Sequence, residues 1–278
     1  GGINGVAIAR DAALRGLSVV LVERDDLASG TSAWSSRMIH GGLRYLEHGE
    51  IGLVWESLQE RERLLRSAPH LVTPLPTLLP ICKGARRGPY LIRTGMAMYD
   101  ALSYGKSVPS HHMLSVADVQ DQVPGIRADG LRAGAQYYDA QVTWGERLVV
   151  ELAESAARSG ARIATRSRVM GLQFDDNAVH GLDVRDELTG DSTRIRARQI
   201  VNVAGPWVDD VLRGLDAARP EQRLIGGTRG SHVIVPRWPG APQSAIYFES
   251  ERDGRPILII PWNGMMLLGS TDERHIGD

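Results

Sequence analysis

The chain has 278 residues, 42% of them hydrophobic, and a formal net charge of −1. That length buries a full core in one large domain or two smaller ones, while a charge so near zero excludes a global basic field for nucleic acid. The lone Cys82 excludes an intramolecular disulfide and fits a reducing compartment, no apolar run approaches the roughly 18 residues of a membrane-spanning helix, and no signal-peptide pattern opens the sequence.

Gly1, Gly2, Ile3, Asn4 and Gly5 read as the last five residues of a G-x-G-x-x-G phosphate-binding turn, so the chain is expected to be an internal fragment whose first glycine and feeding strand lie upstream. In such a turn, backbone N–H groups and a helix N-terminus meet a pyrophosphate with no Cβ in the way. Residues 6–15 are rich in alanine and are closed by Gly16, as a helix with a left-handed C-terminal residue would be. Residues 18–23 form an apolar run without alternation, which predicts a buried parallel strand ending in Glu23. The carboxylate lies about 20 residues beyond the turn, where an acid accepts hydrogen bonds from adenosine ribose hydroxyls. With the acid in place, a 2′-phosphate is disfavoured, and FAD and NAD both remain.

A helix follows over 50–67, with Leu53, Val54, Leu58 and Leu65 toward the core and the charges around 60–63 on a solvated face. The proline and glycine density of 69–89 suggests a crossing into another subdomain. Short helices are expected over 89–102 and over 115–122, the latter capped by Ser115 with Asp118 three residues on. A second α/β block begins near Gln141. It contains an amphipathic helix over 144–158 closed by Gly160, strands near 161–165, 168–175 and 178–187 with a turn at Gly190, and a buried strand over 198–205 running into Pro206. Runs at 232–236, 257–261 and 265–269 read as antiparallel strands. Two α/β blocks separated by other material imply a discontinuous nucleotide-binding domain. Adjacent His111 and His112 point in different directions and are read as surface residues, with no metal site.

Longer motifs narrow this further. The glycine turn with Asp11 and Arg15-Gly16, the run from Thr31-Ser32-Ala33-Trp34-Ser35-Ser36-Arg37 through Met38-Ile39-His40-Gly41-Gly42 to Leu43-Arg44-Tyr45-Leu46-Glu47-His48, then Ala204-Gly205-Pro206-Trp207, Gly230-Ser231-His232 and Gly269-Ser270-Thr271-Asp272 together resemble FAD-dependent glycerol-3-phosphate dehydrogenases. The resemblance covers essentially the whole chain, with one departure: Ala7 stands where the family usually has glycine, which should tighten the approach of the first helix to the sheet.

The resemblance implies an α/β fold in which a discontinuous Rossmann-like FAD-binding domain, of the glutathione-reductase-like and amino-acid-oxidase-like kind, spans 1–68 and 136–215. A mixed, mainly antiparallel substrate-binding subdomain would span 69–135 and 216–278 and continue beyond Asp278. The implied reaction is oxidation of sn-glycerol 3-phosphate to dihydroxyacetone phosphate by hydride transfer to FAD, with electrons passed to a quinone. Arg44 and Tyr45 are then expected on the substrate phosphate, and His232 near the substrate as the base for the C2 hydroxyl. Gly1, Gly2, Asn4, Gly5, Glu23, Thr31, Ser32, Ser35 and Ser36 would contact the dinucleotide portion of the cofactor. His40, Gly41 and Gly42 would pass the flavin ring, and Val169, Ala204 and Gly205 would lie against the adenosine half. Alternatives from this reading are an oxidase using oxygen, another FAD-dependent amino- or hydroxy-acid oxidoreductase, and a non-catalytic flavin-binding fragment. The resemblance further implies a cytoplasmic protein with peripheral contact to the inner face of the membrane, drawn there by basic residues Lys83, Arg86, Arg87, Arg93 and Lys106. A homo-oligomer is compatible with it.

Overall fold

The computed structural model describes residues 1–85, 87–175, 178–213, 222–250 and 252–275, and for Arg44 the backbone only. The chain separates into two compact units, one of Gly1–Ser35, Trp144–Gly227 and His275–Asp278, the other of Ser36–Thr143 and Thr228–Arg274.

The first unit is built around helices Ile3–Leu14 and Gly145–Arg158. Small residues let the two come close: Ala9 and Ala13 of the first and Ala153 and Ala156 of the second share a core with Val6, Leu21 and Val149. Each helix stops where the sequence supplies a left-handed glycine, Gly16 at φ 78° and Gly160 at φ 98°. Strand Val20–Val22 pairs in parallel with Arg162–Ala164, Leu21 opposite Ile163. The parallel pairing agrees with the apolar run. Its burial is only partial, with Leu21 buried and Val20 39% exposed, because this sheet is two strands wide among the described residues. Strands Ser167–Asp175, Ala178–Asp186 and Ser192–Arg196 form an antiparallel sheet of their own, turned at Gly190.

One expected strand does not form. Residues 198–204 have no strand pairing among the described residues. Asn202 instead takes over the local backbone, its Oδ1 accepting from Ala204 N and its Nδ2 donating to Val208 O, both at 3.2 Å. A short amide side chain offers the backbone an alternative to the ladder. Ala7 is exposed. The close approach belongs to Gly5, where a Cβ would sit 3.1 Å from Val203 Cγ2.

The second unit holds an eight-stranded, mainly antiparallel sheet. Its order is His232–Pro236, Met265–Gly269, Pro256–Trp262, Ala245–Glu249, Val72–Cys82, Leu131–Val142 and Met38–Ile39, with His112–Leu114 also on Leu131–Val142. The only parallel pairing within it, among the described residues, joins Ala245–Glu249 to Val72–Cys82 at Thr77 and Leu78. The proline-rich 69–89 stretch is thus a long strand rather than a crossing. Pro74, Pro76 and Pro80 share a parity, so their missing N–H groups lie on one side of the strand. The other side carries the ladder to Leu131–Val142 along the whole length, with a shift only at Ile81 and Cys82.

Helices Ile51–Ser67 and Pro89–Leu102 pack on this sheet through Val54, Leu58, Met96 and Tyr99 against Leu79, Ala135 and Tyr137. By contacts the units divide at 35/36 and 143/144, while the resemblance implies functional domains that divide at 68/69 and 135/136. The packing also corrects the first of these helices. Leu53 is exposed, while Arg61, expected on the solvated face, is 1% exposed. Helix Val116–Gln122 has the expected capping box, with Ser115 Oγ accepting from Asp118 N and the Asp118 carboxylate accepting from Ser115 N. His111 is only 16% exposed, its Nδ1 2.7 Å from Asp100 Oδ2, and is not a surface residue.

Candidate cofactor and active site

In the first unit the structure gathers most of the expected dinucleotide residues at the start of helix Ile3–Leu14. Gly2 is its extended N-cap, with no side-chain cap of its own. The cap comes from a distant residue: Ser32 Oγ accepts the N–H of Ile3 at 3.0 Å. Glu23, at the end of its strand, receives the Gly1 nitrogen on Oε2 at 2.6 Å and the Asp25 N–H on Oε1 at 2.8 Å. A Cβ on Gly1 would lie 2.8 Å from Glu23 Cγ, and one on Gly2 3.1 Å from Ser32 Oγ. Glycine, carboxylate and serine therefore fit one another only because the glycines lack side chains. Helix N-terminal N–H groups and a neighbouring acid suit a pyrophosphate and a ribose diol.

The other expected contacts converge on the same region. Gly205 is left-handed at φ 57°, preceded by Ala204 and by Val203, which reaches Gly5. Trp207 lies against Gly30, next to Thr31 in the short 3-10 turn Thr31–Ala33; a Cβ there would be 2.9 Å from the indole. Val169 stands opposite Val184 in a strand whose first residue, Ser167, donates to Glu23 O at 2.8 Å. Asn4, Thr31 and Ser35 are exposed.

In the second unit Ser36 and His232 meet, with Oγ and Nε2 sharing a hydrogen bond of 2.7 Å across 196 residues of sequence. His232 opens its strand opposite Gly269, where a Cβ would sit 2.6 Å from the imidazole Cδ2. The two flanking motifs are tied together as well: Ser231 N donates to Thr271 Oγ1 at 2.9 Å, and Thr271 N to Ser231 O at 3.2 Å. Burial, and secondarily the positive charge of Arg37, push the His232 pKa below the ordinary imidazole value, favouring the neutral ring. Arg37 is itself buried, its backbone left-handed at φ 60° and its guanidinium 5.2 Å from the Trp262 ring centre.

Gly42 at φ 67° starts the 3-10 helix Leu43–His48, which carries Arg44 and Tyr45. Tyr45 is exposed and packs its ring beside Gly42; the Arg44 side chain lies outside the described residues. Glu47 of the same turn pairs with Arg87, which also reaches Glu249 at 2.7 Å. Lys106 pairs with Asp100. Two of the cations expected to face a lipid surface are therefore neutralised inside the protein.

His40 is exposed, whereas Gly41 and Gly42 are buried. A Cβ on Gly41 would run into Leu58 and the Tyr99 hydroxyl. The Gly41 N–H donates to Tyr99 Oη at 2.9 Å and to Asp139 Oδ1 at 3.3 Å. Tyr99 donates in turn to Asp139 Oδ1 at 2.7 Å, and Arg61 Nη1 donates to the same oxygen at 3.0 Å and to Tyr138 O at 2.7 Å. Arg61 and Asp139 have side chains 1% and 3% exposed. Burial and the Asp139 charge hold the Tyr99 hydroxyl well above its ordinary pKa, so it stays protonated. Sequence reading missed Arg37, Arg61, Tyr99, Asp139 and Trp262. The one available signal was Asp139, the lone carboxylate in the strand Leu131–Val142.

A glycine-turned helix start with a ribose-type acid in one unit, and a half-buried Ser–His pair in a largely antiparallel unit, are the parts of a dinucleotide-dependent oxidoreductase. The chain belongs to the FAD dependent oxidoreductase family, whose model matches residues 1–278. It is 47% identical to a glycerol-3-phosphate dehydrogenase of Synechocystis sp. over all of its own length and 52% of the relative. It is 39% identical to an aerobic glycerol-3-phosphate dehydrogenase of Staphylococcus epidermidis, over 98% of the chain and 48% of that protein. The solved glycerol-3-phosphate dehydrogenase of Bacillus halodurans, complexed with FAD, superposes with a TM-score of 0.75 at 30% identity, covering the whole chain and 47% of that structure. The chain thus spans about half the length of these relatives.

Proposed function

We propose that the chain is part of an enzyme that oxidises sn-glycerol 3-phosphate to dihydroxyacetone phosphate and passes the electrons to a quinone. The observation that carries the chemistry is the half-buried Ser36–His232 pair with its bias toward neutral imidazole. The substrate follows from relatives named for it at 39% and 47% identity.

The cradle of Gly1, Gly2 and Gly5 against Glu23 and Ser32 fits the adenosine diphosphate end of FAD, with Asn4, Thr31 and Ser35 on its exposed side, Val169 offering backbone to adenine, and Ala204-Gly205 against the adenosine. In this reading the first unit binds the cofactor and the second unit the substrate. FAD, when bound, supplies a two-electron acceptor for the hydride of a carbinol carbon. The chain's residues do the rest. His232 Nε2 accepts the C2 hydroxyl proton, the substrate hydroxyl taking the place that Ser36 Oγ occupies on that nitrogen in the free protein. Arg44 and Tyr45, at the start of their 3-10 helix, bind the phosphate dianion, and the His40–Gly42 backbone bounds the ring of the cofactor.

Loading the purified protein with FAD and adding sn-glycerol 3-phosphate without oxygen tests this directly. The expected result is a bound-flavin spectrum that bleaches with the phosphate ester and not with glycerol. A quinone analogue should restore the colour faster than oxygen does, and the reverse order would make the enzyme an oxidase. A spectrum that never bleaches with the ester would overturn the substrate assignment. Pelleting with anionic vesicles reads the peripheral membrane contact, which should weaken as salt rises.

A further inference from the structure

We propose that Tyr99, Asp139 and Arg61 are positioning residues for the His40–Gly42 turn, fixing the backbone that would bound the cofactor ring; this rests on the flavin reading given above. Asp139 lies mid-strand in Leu131–Val142, beside Ala140 and Gln141, which pair with Ile39 and Met38. The short strand thus delivers the turn directly onto the carboxylate. One oxygen, Oδ1, gathers three donors: the Arg61 guanidinium, the Tyr99 hydroxyl and the Gly41 N–H. Tyr99 closes the set by accepting from Gly41 as well.

The arrangement is costly in a way that a purely apolar support would not be. A buried carboxylate and guanidinium are both desolvated, and the Arg61 Nε has no hydrogen-bond partner among the described residues. What the charges provide is direction. Leu58 and Tyr99 block any side chain at position 41, and the carboxylate points the Gly41 amide inward. The peptide planes on either side of it, at His40 and Gly42, then have little rotational freedom. Arg61 comes from Ile51–Ser67 and Tyr99 from Pro89–Leu102, so two helices and the sheet set one turn.

Tyr99→Phe is the discriminating variant, since it keeps the ring, its packing on Tyr137 and its place beside Arg61 while removing the hydroxyl link. Three measurements on the full chain read it. Amide exchange at Gly41, followed by mass spectrometry without cofactor, should speed up at least tenfold. The visible band of bound flavin should shift, and the rate of its reduction by sn-glycerol 3-phosphate should fall about tenfold with little change in the substrate concentration at half-saturation. Asp139→Asn, which keeps an acceptor, should show the same pattern more weakly if it folds. A Tyr99→Phe protein with wild-type exchange, flavin band and reduction rate would overturn the positioning role while leaving the flavin reading intact. Wild-type protein that takes up no FAD would overturn both.

Discussion

At the start of the first unit, Gly1, Gly2 and Gly5 are surrounded by a carboxylate, a serine hydroxyl and a valine methyl. At Gly41 in the second unit, the neighbours are a leucine side chain and a phenol, with a buried ion pair behind them. Both are glycine turns beside a proposed cofactor, and both exclude a Cβ. In the first, the glycines admit polar groups that themselves suit a dinucleotide, and the contacts are neutral or partly exposed. In the second, the glycine admits the protein's own core, and its amide is aimed by charges that water does not reach. The first turn is a binding surface supported lightly; the second is a support whose failure would reach the whole unit. The cost of disturbing each should differ accordingly.

Asp139→Ala tests the second turn most severely. It strands the Arg61 guanidinium in the core, and removing one partner of a buried pair costs about 3–5 kcal/mol. Chemical denaturation should show that loss, and Asp139→Ala with Arg61→Met should regain much of it. A single variant that unfolds like wild type would show the pair to be hydrated in solution. Gly41→Ala comes next, at about 1–3 kcal/mol for overpacking a filled site, read by the same denaturation curve.

Ser32→Ala probes the first turn. Losing the acceptor for the Ile3 N–H should cost about 1 kcal/mol, as for other helix caps, and should weaken FAD binding by more than it lowers stability. If the stability loss matched that of Gly41→Ala, the contrast between the turns would collapse.

The smallest effect concerns the Ser36–His232 pair. His232 has a depressed pKa, so its neutral, proton-accepting form persists to lower pH than an ordinary imidazole and is lost as pH falls through that depressed value. Burial is the larger cause and Arg37 the lesser. Arg37→Met removes the charge together with the guanidinium's contact to the Trp262 ring, so the acid limb of kcat/KM should move slightly upward in pH, still below the ordinary value. An unmoved limb would dissociate either Arg37 or His232 from the titration.

Much of the local structure in both units was legible in the residues. Gly16 and Gly160 ended their helices, the apolar run at 18–23 gave a parallel strand, and Ser115 with Asp118 capped a helix, because each signal acts within a few residues. The strand expected over 198–205 pairs with no other described strand, and at its end the Asn202 amide bonds the local backbone instead. Proline density misled at 69–89, since its parity, rather than its abundance, decides whether a ladder survives. Of the charges read as solvated, Glu60 and Arg63 are exposed, but Arg61 is buried because its acidic partner lies far along the chain.

Sequence alone therefore determined the family, the glycine cradle, the acid at Glu23 and the candidacy of His232, all of which are carried by residue type and short spacing. Tertiary structure alone decided that Ser36 meets His232, 196 positions away, and that Gly41 rests on Asp139, 98 positions away. Those pairings follow from strand register across the second unit's sheet, in which Met38–Ile39 is set beside Ala140 and Gln141. Register is fixed by the packing of whole strands and the helices above them, and no short stretch of the chain contains that information.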